Sequence, residues 1–121
     1  MLPRLYRLKK KSDFNRLLKN GINSRYFNES LSIKFIGRIE SQENSRFGFL
    51  VAKKYFKKAT LRNKIRRKLR ELIGQKLSLI KQGNDIVLIA KPGIENKKSI
   101  EIDKSLKIIL EQAMLFKTQT K

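Results

Sequence analysis

The chain has no cysteine and no histidine among its 121 residues. These absences exclude disulfide bonds, zinc-finger ligand sets, and the nucleophiles and general bases that either residue supplies. The few carboxylates show no obvious cluster of the kind that holds a metal. We therefore expect no catalytic residue and no metal ligand in this chain.

Long hydrophobic runs are also missing. The longest, residues 86–90 and 49–52, are far too short to span a bilayer, and the N-terminus has no signal-peptide hydrophobic region. A helix lying on a membrane surface would carry bulky aromatic residues opposite its basic face, whereas the stripe found here is aliphatic. The sequence predicts a cytoplasmic protein with no membrane partner.

Acidic residues are scarce, since 10 Asp and Glu face 30 Lys and Arg, giving a net charge of +20. A charge this large on a 14.2 kDa chain indicates a polyanionic partner, with nucleic acid the first choice. The charge is uneven, because residues 1–70 hold 21 basic and 4 acidic groups and residues 71–121 hold 9 and 6. The contact surface is expected in the first 70 residues.

Residues 53–70 hold ten Lys or Arg and no acid. Apolar residues recur through this segment at helical spacing and predict a helix from about Thr60 to about residue 81. The apolar stripe comprises Leu61, Ile65, Leu69, Leu72 and Ile73. The basic face comprises Arg62, Asn63, Lys64, Arg66, Arg67 and Arg70.

This basic face suits phosphate binding, because guanidinium groups match phosphate oxygens and the amide of Asn63 can pair with a base or a 2′-hydroxyl. The alternative is a solvated helix face. Solvated faces usually interleave Glu with Lys, whereas here like charges repel at i+3 and i+4 until Glu71. A polyanion is favoured as the group that neutralises them.

The remaining pattern predicts an α-β-β-α-β-α order, which is α+β with a mixed sheet of about four strands in a two-layer sandwich. Ser12 begins a first helix that Gly21 ends, and the last helix contains Ile102, Leu106 and Ile109. Strands are expected at residues 31–35, 46–52 and 85–90. A hairpin loop at residues 40–45 is expected to join the first two strands, and the second strand is expected to be the central one of the sheet. We expect one RNA-binding domain over residues 1–121, with residues 1–8 and 117–121 flexible.

Three ordered segments resemble the bacterial ribonuclease P protein family. The segment VAKKYFKKATLRNKIRRKLRE is similar to its Lys-Lys loop and Arg-Asn-Arg helix, RLKKKSDF to its opening, and DIVLIAKPG to its strand ending in Ala-Lys-Pro. The resemblance implies a left-handed β-α-β crossover through the basic helix. It also implies an endoribonuclease holoenzyme that removes the 5′ leader of precursor tRNA, in which the RNA subunit carries the chemistry with Mg²⁺ and no protein partner is required.

The resemblance also assigns roles to residues. Contacts with ribonuclease P RNA fall on Arg62, Asn63, Lys64, Arg66, Arg67 and Arg70, and contacts with the leader of precursor tRNA fall on Lys10, Lys11, Phe14, Lys53 and Lys54. Phe14 either lines a cleft, where it can stack on a base, or belongs to the core. Phe47 and Phe49 are expected in the core first and as cleft lining second. Arg7 belongs to a basic patch at the N-terminus.

Rival functions fit the same composition. A ribosomal or general RNA-binding protein would share the charge and size without affecting tRNA maturation. A DNA-binding protein would insert the basic helix in a major groove, but the helix and turn that normally precede it are missing from the pattern. A protein nuclease would act without any RNA partner.

Overall fold

The computed structural model describes residues 6–8, 11–20, 30–37, 44–113 and 115–116. In chain order the elements are α1 (Lys11–Asn20), β1 (Leu31–Gly37), β2 (Arg46–Leu50), α2 (Ala59–Gly74), β3 (Asn84–Ala90) and α3 (Ser99–Gln112), with 3₁₀ turns at Leu77–Leu79 and Ile94–Asn96. The predicted order and the α+β class are confirmed. None of the described helices is long and apolar enough to cross a membrane.

The three strands form one mixed sheet in the order β1-β3-β2. β3 pairs antiparallel with β1 and parallel with β2, and α2 makes the crossover between β2 and β3. The predicted hairpin between β1 and β2 is therefore wrong, and β3 rather than β2 is the central strand. The apolar patterns of β2 and β3 look alike in sequence, so they do not show which strand has two neighbours.

The N-terminal segment pairs with the outer edge of β2. Arg7 forms a parallel bridge with Phe47, and the backbone N–H of Leu8 donates to the Phe47 carbonyl at 2.8 Å. The sheet of the described residues has three strands, against about four predicted, and this isolated bridge extends it at the edge of β2. The edge of β2 offers backbone partners to this segment, and Leu8 is buried. The expected flexibility of residues 1–8 and 117–121 stays a prediction. Residues 1–5 and 117–121 lie outside the described residues.

Helices lie on both faces of the sheet, whereas the sequence predicted a sandwich of two layers. On one face, Phe47, Ile86 and Leu88 pack with residues of α2 and α3 such as Leu69 and Leu106. On the other face, α1 contributes Leu17 to a smaller cluster with Leu8 and Val87. Successive side chains of β3 point to opposite faces of the sheet, so Ile86 and Leu88 belong to one cluster and Val87 to the other. α1 therefore forms a further layer, on the face opposite α2 and α3.

The apolar stripe of α2 is buried as predicted, with Ile65, Leu69, Leu72 and Ile73 inside and Leu61 packed at its edge. The helix ends at Gly74, however, and not near residue 81. Glycine costs roughly 1 kcal/mol against alanine in a helix interior, and the chain instead makes a 3₁₀ turn. Gly83, at φ +84°, then turns the chain into β3.

An ion pair joins the end of α2 to α3. The buried ammonium of Lys76 donates to Asp103 and, at 3.3 Å, to the Leu72 carbonyl, while Lys107 lies 3.4 Å from Asp103. Burial acts to raise the pKa of Asp103, but the hydrogen bond and charge of Lys76, with the charge of Lys107, outweigh it and lower the pKa. The ionised carboxylate therefore stabilises the fold.

Asp103→Asn should lower the free energy of unfolding by about 2 to 3 kcal/mol at pH 7, because it leaves the buried Lys76 ammonium poorly paired. The pKa of Asp103 is lowered in the folded state from an ordinary 3.8, so its contribution is complete above that pH and is lost as pH falls below it. Urea unfolding of wild type and variant should therefore differ less at pH 2.5 than at pH 7. Lys107→Ala, which removes an exposed partner, is the control and should cost less than about 1 kcal/mol. A pH-independent difference would contradict the assignment.

Candidate RNA-binding groove

A cationic groove runs between α2 and the N-terminal segment that borders β2. Arg7, Arg66 and Arg70 line a cavity of about 250 Å³ whose floor includes Phe47 and Phe49. Arg66 and Arg70 also line an adjoining depression of about 700 Å³ with Asn63, Arg67 and Glu71. The arginine groove, defined here as Arg7, Asn63, Arg66, Arg67 and Arg70, is one continuous surface.

Like charges lie close together in the arginine groove. Burial, followed by the positive charges of Arg7 and Arg66, lowers the pKa of Arg70. Arg70 nevertheless stays charged at neutral pH, because the ordinary pKa of a guanidinium group lies so high. Three like charges that face one cavity repel one another, and a bound polyanion would turn that repulsion into attraction.

Phe47 and Phe49 take different positions on β2. Phe47 is 1% exposed and belongs to the main core, which confirms its predicted place. Phe49 is half-buried, and the guanidinium carbon of Arg70 lies 5.9 Å from its ring centroid. This cation–π contact helps to hold Arg70 over the groove. Both rings line the cavity of the arginine groove, so the second prediction, a cleft-lining role, also applies, chiefly to the less buried Phe49.

Two residues of the predicted basic face lie away from the arginine groove. One guanidinium nitrogen of Arg62 donates to the carbonyls of Phe56 and Lys57, each at 2.9 Å, which holds the loop before α2. Lys64 lines a separate cavity between α2 and the 3₁₀ turn Ile94–Asn96. Asn63, by contrast, accepts a hydrogen bond from Arg66 at 3.2 Å and lies with the groove arginines.

The structure describes only some of the residues that were assigned to the tRNA leader. Lys53 and Lys54 are exposed in the turn that follows β2, where the Lys54 ammonium lies 5.5 Å from the Tyr55 ring centroid. Lys10 lies outside the described residues. Lys11 and Phe14 belong to α1, but their side chains lie outside the described part of the structure. Whether Phe14 lines a cleft or belongs to the core stays a prediction.

A buried carboxylate that the sequence analysis missed ties α1 to the sheet. Asp85 on β3 is fully buried and accepts two hydrogen bonds from Arg46, at 2.9 and 2.7 Å. Arg16 of α1 lies 3.3 Å from the same carboxylate. Arg46 and Asp85 stand opposite each other in the β2–β3 register, so strand pairing brings them together. In the sequence, Asp85 is an isolated acid at the start of an apolar run, and this pattern does not predict that Arg46 and Arg16 are its partners.

Comparison with known proteins agrees with this fold. Residues 2–114 match the family model described as Ribonuclease P. This chain belongs to the ribonuclease P protein family. The ribonuclease P protein component of Staphylococcus aureus strain bovine RF122 is 32% identical over 123 residues, which cover 100% of this chain and 99% of the relative. That of Synechocystis is 37% identical over 91 residues, covering 75% and 71%.

Solved structures of ribonuclease P proteins share the fold. The Staphylococcus aureus protein superposes with a TM-score of 0.80 at 33% identity, covering 93% of this chain and 98% of that one. The Thermotoga maritima protein superposes at 0.76 with 29% identity, covering 88% and 96%. Membership of the ribonuclease P family implies a holoenzyme that processes tRNA and a ribonuclease P RNA as partner. The described residues contain no group of three or more Asp or Glu that could hold a metal ion.

Proposed function

We propose that this chain binds ribonuclease P RNA along the arginine groove and assists removal of the 5′ leader from precursor tRNA. The observation that carries the proposal is the convergence of Arg7, Arg66 and Arg70 on one cavity. Because burial and the charges of its two neighbours lower the pKa of Arg70, the site is electrostatically prepared for an anion. The phosphates of the RNA partner supply that charge.

Individual roles follow from the geometry of α2. Arg66, Arg67 and Arg70 contact phosphates, since a guanidinium can form two parallel hydrogen bonds with phosphate oxygens. Asn63 pairs with a base or a 2′-hydroxyl at the edge of the groove. Arg62 contributes mainly by holding the loop that precedes α2, and Lys64 contacts RNA only at the flank of the helix.

The precursor tRNA is the second proposed partner. The exposed ammonium groups of Lys53 and Lys54 neutralise leader phosphates beyond the end of β2. Lys11 and Phe14 of α1 extend this contact, together with Lys10, which precedes α1 in the sequence. No further protein partner is required. We also place the protein in the cytoplasm, as the family resemblance implies.

The chemistry belongs to the RNA subunit, which uses Mg²⁺ to activate the water that attacks the phosphodiester. In support, a chain without cysteine or histidine lacks the side chains that most often act as nucleophile or general base near neutral pH. The protein's contribution is to bind, to neutralise charge and to orient the substrate.

Reconstitution tests the proposal. The purified chain, a bacterial ribonuclease P RNA and a 5′-labelled precursor tRNA are combined at low Mg²⁺, with protein-alone and RNA-alone controls. We expect cleavage at the mature 5′ end that needs both components. Binding without stimulation of cleavage would favour a ribosomal or general RNA-binding role, and cleavage by the protein alone would place the chemistry in this chain.

Salt dependence should report the number of phosphate contacts. With about six contacts, the slope of log affinity against log salt for ribonuclease P RNA should be about −4 to −5. Titrations between 50 and 400 mM monovalent salt at fixed Mg²⁺ would measure it. An affinity almost independent of salt would contradict electrostatic binding by the arginine groove.

A further inference from the structure

A second cavity, of about 290 Å³, adjoins the arginine groove at the other end of β2. Its polar lining comes from Tyr6, Asn44, Ser45, Ser78 and Gln82, and Phe47 with two aliphatic side chains completes the wall. None of these described lining residues is charged. We call this cavity the neutral pocket. Its size is close to the lower end of small-molecule sites, roughly 300 Å³.

The neutral pocket and the arginine groove are neighbours along one path. Phe47 lines both cavities. Tyr6 and Arg7 are consecutive, so their Cα atoms are about 3.8 Å apart across a trans peptide, yet Tyr6 lines the neutral pocket and Arg7 lines the groove. A ligand that crosses this boundary meets uncharged hydrogen-bonding groups on one side and guanidinium groups on the other.

The groups in the neutral pocket suit a nucleobase. The Ser45 hydroxyl is engaged within the protein, because it donates to the Lys81 carbonyl and accepts from the backbone N–H of Asn84 at 3.1 Å. Ser78 and Gln82 are exposed, and hydroxyl and amide groups can donate to and accept from the edge of any base. The half-buried ring of Tyr6 supplies an aromatic surface for stacking.

We infer that the neutral pocket binds the base of an unpaired nucleotide of ribonuclease P RNA while a phosphate of the same strand lies on Arg7 and Arg70. This inference rests on the proposed function, since it extends the RNA path past the arginine groove. Single-stranded RNA binding commonly combines an aromatic surface for bases with cationic groups for the backbone, and the two adjoining cavities provide this pair. A site lined only by arginines would bind the backbone alone.

Affinity for ribonuclease P RNA is measured against salt concentration for wild type, Tyr6→Ala, Tyr6→Phe and Gln82→Ala. Tyr6→Ala should weaken binding about tenfold through lost stacking, Gln82→Ala about threefold, and Tyr6→Phe less than twofold. The salt slope should stay unchanged in all three, because no phosphate contact is lost. Leu79→Ala is the matched control, since Leu79 is 52% exposed on the adjacent 3₁₀ turn and does not line the pocket.

The same titration of Arg66→Ala separates this inference from the proposed function. Suppose that Arg66→Ala weakens binding and flattens the slope of log affinity against log salt, while Tyr6→Ala and Gln82→Ala bind like wild type. The neutral pocket then binds no base, and the proposed function stands. If Arg66→Ala also binds like wild type, the proposed function fails. Flattening of the slope by Tyr6→Ala would show a phosphate contact and overturn base binding. Thermal unfolding of each variant checks the fold, and the exposed Gln82 supplies a test that does not depend on packing.

Discussion

Replacing both Arg66 and Arg70 by alanine should weaken binding to ribonuclease P RNA by about 100-fold to 10,000-fold. Both guanidinium groups line the two parts of the arginine groove, so each is expected to make charge-assisted hydrogen bonds with phosphate, worth roughly 1.5 to 3 kcal/mol apiece. The slope of log affinity against log salt should also become shallower by about 1 to 2. Filter binding or calorimetry across a salt series measures both quantities.

The folded state should tolerate this double change. Neither arginine belongs to the buried stripe of α2, and the loss of the Arg70 contact with Phe49 is offset by relief of the repulsion with Arg7. The matched control is Lys98→Ala with Lys104→Ala, which removes two exposed charges near the start of α3. Equal weakening by the control would mean that net charge alone determines binding. A large fall in melting temperature of the arginine variant would show a structural role.

Replacing Arg46 by alanine should destabilise the protein by about 3 to 5 kcal/mol. Arg46 makes two hydrogen bonds with Asp85, whose side chain is 0% exposed, and its removal leaves a buried carboxylate without its bidentate partner. The contact of the same carboxylate with Arg16 is longer, at 3.3 Å. Urea unfolding followed by circular dichroism gives the free energy of unfolding of wild type and variant at pH 7.

A double variant separates the cost of the unpaired charge from the cost of lost packing. Arg46→Met combined with Asp85→Leu removes both charges and should recover much of the stability lost in Arg46→Ala, because apolar residues of similar volume often replace buried ion pairs at little cost. Arg16→Ala is the milder comparison, since its side chain is 48% exposed. A loss below about 1 kcal/mol in Arg46→Ala would show that Asp85 is adequately paired without Arg46.

Local patterns predicted the elements well. The apolar stripe of α2 could be read directly, because side chains three and four residues apart share one face of a helix wherever that helix packs. β3 was equally clear, since the short run from Ile86 to Ala90 is rich in β-branched residues and ends at a Lys-Pro-Gly turn, as is typical of a buried strand. The end of α2 was missed because the apolar pattern continues through Leu77 and Leu79, although Gly74 weakens the helix before them.

Strand neighbours were not predictable in the same way. The polar segment between β1 and β2 suggested a hairpin, but β3 lies between them, and its pairing depends on how α2 packs back across the sheet. The role of Arg62 was also hidden, because its sequence position marks it as part of the basic face. Its hydrogen bonds with the loop carbonyls depend on the path of residues 56 and 57.

The sequence by itself determined the class of partner, the basic helix and its buried stripe, because net charge and helical periodicity are local properties of the chain. Only the tertiary structure decided where the basic residues meet. Arg7 stands about 60 residues before Arg66 and Arg70, and it reaches them because the N-terminal segment pairs with the edge of β2. The sheet order that leaves this edge open results from long-range packing, so the arginine groove and the neutral pocket appear only in the folded chain.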